Sequence, residues 1–90
     1  MEIYKFEPIP ELSPRLRQCL LFIARYFRKF SKYPTQKEIA RGLGLKEKTV
    51  TVSGYLDPLI RKGFLSRTFG KRNIRLTNLS DRIISEEDIK

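Results

Sequence analysis

The side chains able to do chemistry in this chain are mostly cationic. Nineteen lysines and arginines stand against ten acids, giving a net charge of +9 and an isoelectric point of about 10.1. There is no histidine, which removes the commonest general base and the commonest metal ligand. The single cysteine, Cys19, has no partner for a disulfide within the chain, which fits a reducing cytoplasm. A serine–lysine dyad can be drawn from Ser53 and Lys48, but nothing in the sequence positions or activates it. Metal-ligand spacings and glycine-rich phosphate loops are missing too. The reading therefore expects no enzyme, no cofactor, no metal and no small-molecule ligand. The chemistry left is attraction of a polyanion.

The distribution of charge says more than its total. Residues 12–76 hold sixteen basic side chains against three acids (Glu38, Glu47 and Asp57), a balance of +13. Residues 1–11 carry one lysine and three glutamates, and residues 77–90 carry two basic and four acidic side chains. A basic segment between mildly acidic tails attracts nucleic acid, because each phosphate it neutralises releases a counterion. The same charge also reads as a solubilising surface.

The elements that must position these residues are legible from caps and periodicity. Residues 1–11, with Pro8 and Pro10, read as an extended lead-in. Ser13-Pro14 is a helix start, a capping hydroxyl followed by proline at the first helical position. From there to about Phe30, steps of 100° put Leu16, Cys19, Leu20, Ile23, Ala24, Tyr26, Phe27 and Phe30 on one arc. Arg17, Gln18, Arg25, Arg28 and Lys29 fall opposite, Leu21 sits among the arginines and Phe22 lies on the border. Those two apolar residues read either as tolerated surface positions or as part of a partner interface.

Thr35-Gln36-Lys37-Glu38 matches a capping box and opens a second helix that runs to about Gly42. Gly42-Leu43-Gly44-Leu45 is a tight connection, and a third helix begins within residues 47–49. Val52, Leu56, Leu59 and Ile60 form its inner stripe, while Gly54 weakens it and Pro58 should kink it or divide it. Arg61-Lys62-Gly63 ends it. Phe64–Thr68 and Asn73–Leu76 read as two strands around a turn at residues 69–72. Residues 77–90 are polar and acidic, a tail that either holds a short helix or frays.

The fold class is thus mainly α with a small β-hairpin. Helix, helix, tight turn, helix and hairpin is the winged helix-turn-helix plan, three helices plus a two- or three-stranded wing, with residues 12–76 as the domain. The segment resembles the N-terminal DNA-binding domain of LexA-type repressors, and more loosely MarR-like regulators. The residues that carry the resemblance are Leu12–Arg15, then Pro34, Thr35, Glu38, Ile39 and Ala40, then Leu43–Leu45. Leu56, Leu59, Arg61, Lys62 and Gly63, with Gly70 and Ile74–Leu76 in the wing, complete them. The turn into the third helix is one or two residues longer than the family pattern, and Pro58 is unusual. Such repressors continue into a self-cleaving Ser/Lys domain where this sequence stops, so that activity is not implied.

The resemblance implies sequence-specific binding of double-stranded DNA by a transcriptional regulator, a repressor rather than an activator. The physics of the helix agrees. With Val52, Leu56 and Leu59 inward, Val50, Thr51 and Gly54 face outward, flanked by Ser53 and Tyr55 and preceded by Lys46 and Lys48. Thr51 and Ser53 suit bases or phosphates, Val50 suits a thymine methyl, and Lys48 suits guanine or phosphate. A one-residue slip would rotate every assignment by ~100° and bury Val50 with Val52. Gln36, Lys37 and Arg41 on the second helix suit backbone phosphates. Arg67, Lys71, Arg72 and Arg75 make the wing basic, suited to phosphate or the minor groove, or to keeping an edge strand soluble.

Partners follow from the same residues. Ile3, Tyr4 and Phe6, with Leu21 and Phe22, suggest a weak homodimer through the N-terminal segment and the first helix; the competing picture is a monomer whose own lead-in covers its core. A protein-interaction module in a larger assembly is the alternative function. The longest unbroken apolar run is Leu20–Ala24 and the N-terminus lacks a signal-peptide pattern, so no membrane partner and a cytoplasmic location are expected.

Overall fold

Ser13 begins the described fold by accepting the Leu16 amide at 3.3 Å, with Pro14 in the first helical position. The computed structural model describes residues 12–46, 48–68 and 74–87. In chain order these form α1 (Pro14–Phe30), α2 (Gln36–Gly42), α3 (Thr49–Arg61), β1 (Leu65–Arg67), β2 (Ile74–Leu76) and α4 (Asn78–Glu87). α1 stops at Ser31, whose backbone turns left-handed (φ 59°) and returns its amide to the Phe27 carbonyl at 2.8 Å. The capping box at α2 is complete. Thr35 Oγ1 accepts the Glu38 amide at 3.2 Å, and Glu38 Oε1 accepts the Thr35 amide at 2.7 Å.

α3 is one helix across Pro58, not two. The hydrogen bond that proline withholds would have ended on the Gly54 carbonyl. Gly54 is exposed, with open space where a Cβ would stand, so water can reach that carbonyl. The helix then closes on a Schellman pair: the Gly63 amide bonds the Ile60 carbonyl at 3.0 Å and the Phe64 amide bonds the Leu59 carbonyl at 2.9 Å. Gly63 takes the positive φ, 90°, that this motif requires. The chain enters β1 directly. β1 and β2 pair antiparallel, Leu65 with Leu76, Ser66 with Arg75 and Arg67 with Ile74.

The core joins Leu20 and Ile23 of α1, Ile39 of α2, Val52, Leu56 and Leu59 of α3, and Phe64 and Ile74 around the hairpin. Three positions on α1 depart from the helical projection. Leu21, read as a surface or interface residue, is buried at 8% exposure in a second cluster with Ala24, covered by Leu76 and Ile84. Phe27 and Phe30, placed on the core arc, are 39% and 48% exposed. α4 explains the first: it packs on α1, from a part of the sequence that a projection of α1 alone ignores. The two phenylalanines instead meet other rings, Phe27 stacking on Tyr33 at 4.4 Å and Phe30 tilting on Tyr26 at 4.6 Å. Phe22 is half-buried with its ring lying where a Cβ on Gly42 would be.

The polar tail is thus tied into the fold. Thr77 donates its hydroxyl to the Gly63 carbonyl at 2.6 Å, and the fully buried Ser80 donates its own to the Thr77 carbonyl at 2.6 Å. Ile83 reaches the main core at 3% exposure. Ile83→Ala should destabilise the chain by about 2–4 kcal/mol in chemical denaturation; a frayed tail would keep the change within about 0.5 kcal/mol.

Burial also pushes the Cys19 thiol up from 9.0 to about 12. The unfolded chain releases this proton near pH 9 while the folded chain retains it. The contribution to stability is therefore present below pH 9 and lost as pH rises toward 12. Stability measured by urea denaturation above pH 9 should fall less steeply in Cys19→Ala than in the parent.

Candidate nucleic-acid interface

The connection between α2 and α3 aims α3. Leu43 and Leu45 pack against the core while the backbone turns between them. The Gly44 amide returns to the Arg41 carbonyl at 3.1 Å and the Leu45 amide to the Ala40 carbonyl at 2.7 Å. Gly44 (φ 77°) and Lys46 (φ 52°) both take left-handed backbone. Glycine does so freely, whereas at Lys46 the side chain pays a steric penalty. The Lys48 amide then bonds the Leu45 carbonyl at 3.0 Å, and α3 starts at Thr49. No side-chain hydrogen bond caps α3, and the positive end of its macrodipole lies beside the exposed Lys46 and Lys48.

The register of α3 is unambiguous. Val52 and Leu59 are fully buried and Leu56 nearly so, while Val50 is 85% exposed. The open stripe runs along Val50, Gly54, Asp57 and Arg61, all exposed. Thr51 and Ser53 flank it half-buried, and Tyr55 leans onto the core. Ser53 donates its hydroxyl to Gln36 Oε1 at 3.3 Å, tying α3 to the first residue of α2. Lys37 and Arg41 stand exposed one turn apart on α2.

The hairpin divides its arginines. Arg67 opposes Ile74 and so lies on the face that packs toward α3, whereas Arg75 opposes Ser66 on the other face. Arg67 Nη2 meets Asp57 Oδ1 at 2.9 Å, and both side chains stay half-exposed. The structure thus brings together Gln36 with Ser53, and Arg67 with the stripe of α3, but does not bring Arg75 to that stripe. Lys71 and Arg72 lie outside the described residues. Two residues of the stripe, Asp57 and Arg61, were absent from the sequence reading of this face. The 100° projection that selected Val50 and Gly54 also selects them.

Among the described residues no group of three His, Cys, Asp or Glu side chains is placed to hold a metal ion, and no helix is long and apolar enough to cross a membrane.

A family model for the LexA DNA binding domain matches residues 9–73. Among curated relatives, the chain is 36% identical over 72 residues to a LexA repressor of Syntrophotalea carbinolica, covering 79% of this chain and 35% of that protein. It is 38% identical over 76 residues to LexA repressor 1 of Geobacter sulfurreducens, covering 83% of this chain and 37% of the relative. A LexA repressor of Geotalea uraniireducens is 38% identical over 60 residues, 67% of this chain and 29% of the relative. The chain therefore spans about a third of the length of the relatives it matches. α4 lies beyond the segment that the family model covers.

Proposed function

Because this chain belongs to the LexA DNA-binding domain family, we propose that it binds double-stranded DNA sequence-specifically in the cytoplasm and represses transcription by occupying its site. The observation that carries the reading is Val50, 85% exposed in the leading turn of a helix whose other face is sealed into the core. An apolar side chain held open to water there is suited to a thymine methyl in the major groove, which is wide enough for one helix. In this reading Thr51, Ser53, Tyr55 and Lys48 contact bases or the groove wall. Gln36, Lys37, Arg41 and Lys46 contact phosphates on either side. The wing, through Arg67, Lys71, Arg72 and Arg75, lies on the backbone or in the minor groove. The domain's role is binding rather than catalysis.

A single module of this size buries only ~600–1,000 Å² on DNA, which covers about one half-site. We therefore propose that two copies act together on a palindromic site, joined weakly through the N-terminal segment and α1. Phe27 and Phe30 remain exposed on α1; Leu21 does not take part, since α4 covers it. Light scattering across a range of concentrations should show a rising mass that is lost on removing residues 1–11. A constant monomer mass would refute the dimer.

Affinity for duplex should fall steeply with salt. About five to eight phosphate contacts give a log–log slope of roughly −4 to −7, and a slope near zero would sink the DNA reading. The two parts of the interface should also fail differently. Arg72→Ala should weaken all sequences alike and flatten the slope by ~1. Thr51→Ala or Lys48→Ala should lose ~1–3 kcal/mol of discrimination at particular base pairs. Equal weakening of random and selected duplex by both classes would refute the placement of α3.

A further inference from the structure

Asp57 is an anomaly on the face just described: a carboxylate on the open stripe of α3, in a segment where three acids stand against sixteen bases. Phosphates approaching that face would be repelled by it. Among the described residues it pairs with Arg67, the last residue of β1. The bond uses Nη2 and leaves the arginine side chain half-exposed. A guanidinium has five donors in a planar fork, so the donors not aimed at Asp57 remain able to meet solvent or phosphate. An isolated arginine would have to surrender its rotamer freedom when it bound. Here Asp57 restricts that freedom beforehand, and it does so from the helix that enters the groove.

We propose that Asp57 is a positioning residue: it holds the Arg67 guanidinium in register with the exposed face of α3, so that the wing's phosphate contact and the helix's base contacts are made together. The inference rests on the DNA-binding reading and assigns the acid a part in specificity. Phosphate contacts carry no sequence information themselves, but they fix the register in which base edges are read. A carboxylate that lowers affinity by its charge is tolerable where it sharpens that register.

The test is a double-mutant cycle on discrimination. Parent, Asp57→Ala, Arg67→Ala and the double variant are titrated against two probes: a duplex selected from a random pool by the parent, and random-sequence duplex. Asp57→Ala should raise affinity for random duplex, by loss of a negative charge, and lower affinity for the selected duplex. The ratio of the two should fall about fivefold or more, the low end for one well-read base pair. In the Arg67→Ala background the same substitution should leave the ratio unchanged. Asp57→Asn, which keeps one acceptor oxygen, should fall between parent and alanine. Both side chains are half-exposed, so all variants should melt near the parent temperature by circular dichroism.

Three results overturn the proposal. One is a ratio that falls equally with and without Arg67. Another is a ratio that does not change while both affinities rise and the salt slope steepens by ~0.9, as expected if Asp57 merely withholds Arg67 from phosphate. The third is failure of the parent to bind duplex at all, which refutes the DNA reading itself and is told apart by needing no variant.

Discussion

Everything on the candidate surface depends on the burial of Val52, Leu56 and Leu59 against α1 and α2. α3 is a poor helix on its own terms. It opens on four β-branched residues in a row, Thr49 to Val52, and contains Gly54 and Pro58, each unfavourable in a helix interior. No side chain caps its start. A segment like this acquires helical structure from tertiary packing rather than from propensity. The inner stripe therefore does two things at once: it makes α3 a helix and it decides which side faces water. Val50 is exposed because Val52 is not. The weak propensity residues have a use on that outer side, where short side chains at Thr51, Ser53 and Gly54 leave the helix surface low and approachable.

The second constraint is the angle at which α3 leaves α2. Leu43 and Leu45 are anchored by the core, and the left-handed backbone at Gly44 and Lys46 turns the chain between and after them. The Ser53–Gln36 hydrogen bond closes the same angle from the outer side. At the far end of α3 the Schellman close sends the chain straight into β1, so the hairpin's position follows from that of the helix. Arg67 arrives next to Asp57 through this short path.

Local chemistry in the sequence carried the parts of this that are local. Ser13-Pro14, the Thr35–Glu38 box and Gly63 each specify a helix boundary through a hydrogen bond within a few residues, and all three were legible. The inner stripe of α3 was legible because its period is intrinsic to the helix. What escaped was whatever depended on a distant segment. Leu21 looks misplaced among arginines until α4 is known to cover it. Phe27 and Phe30 belong to the apolar arc of α1 by angle but stay 39% and 48% exposed, and an arc is buried only as far as something covers it. Asp57 and Arg61 were passed over because the outward face was followed only as far as Tyr55, although the inner stripe already ran on to Leu59 and Ile60. The site was therefore legible at its leading turn and lost beyond Tyr55.

The placement of acids carries the argument one step further. A domain whose task is to meet phosphate should keep carboxylates off its working side unless each has a local reason to be there. Within residues 12–76 two of the three acids lie among the described residues. Glu38 closes the capping box of α2 on the Thr35 amide, and Asp57 holds Arg67. The first sits near the positive end of a helix dipole, where a negative charge is favoured and its field is partly offset. The second is paired with a guanidinium at 2.9 Å, so at a distance the two appear to phosphate as a dipole more than as a charge. Each still subtracts one charge from the attraction that the sixteen basic residues provide at long range. At contact distance both still act, one fixing where α2 begins and the other where the wing's arginine points, and it is at contact distance that one sequence is told from another.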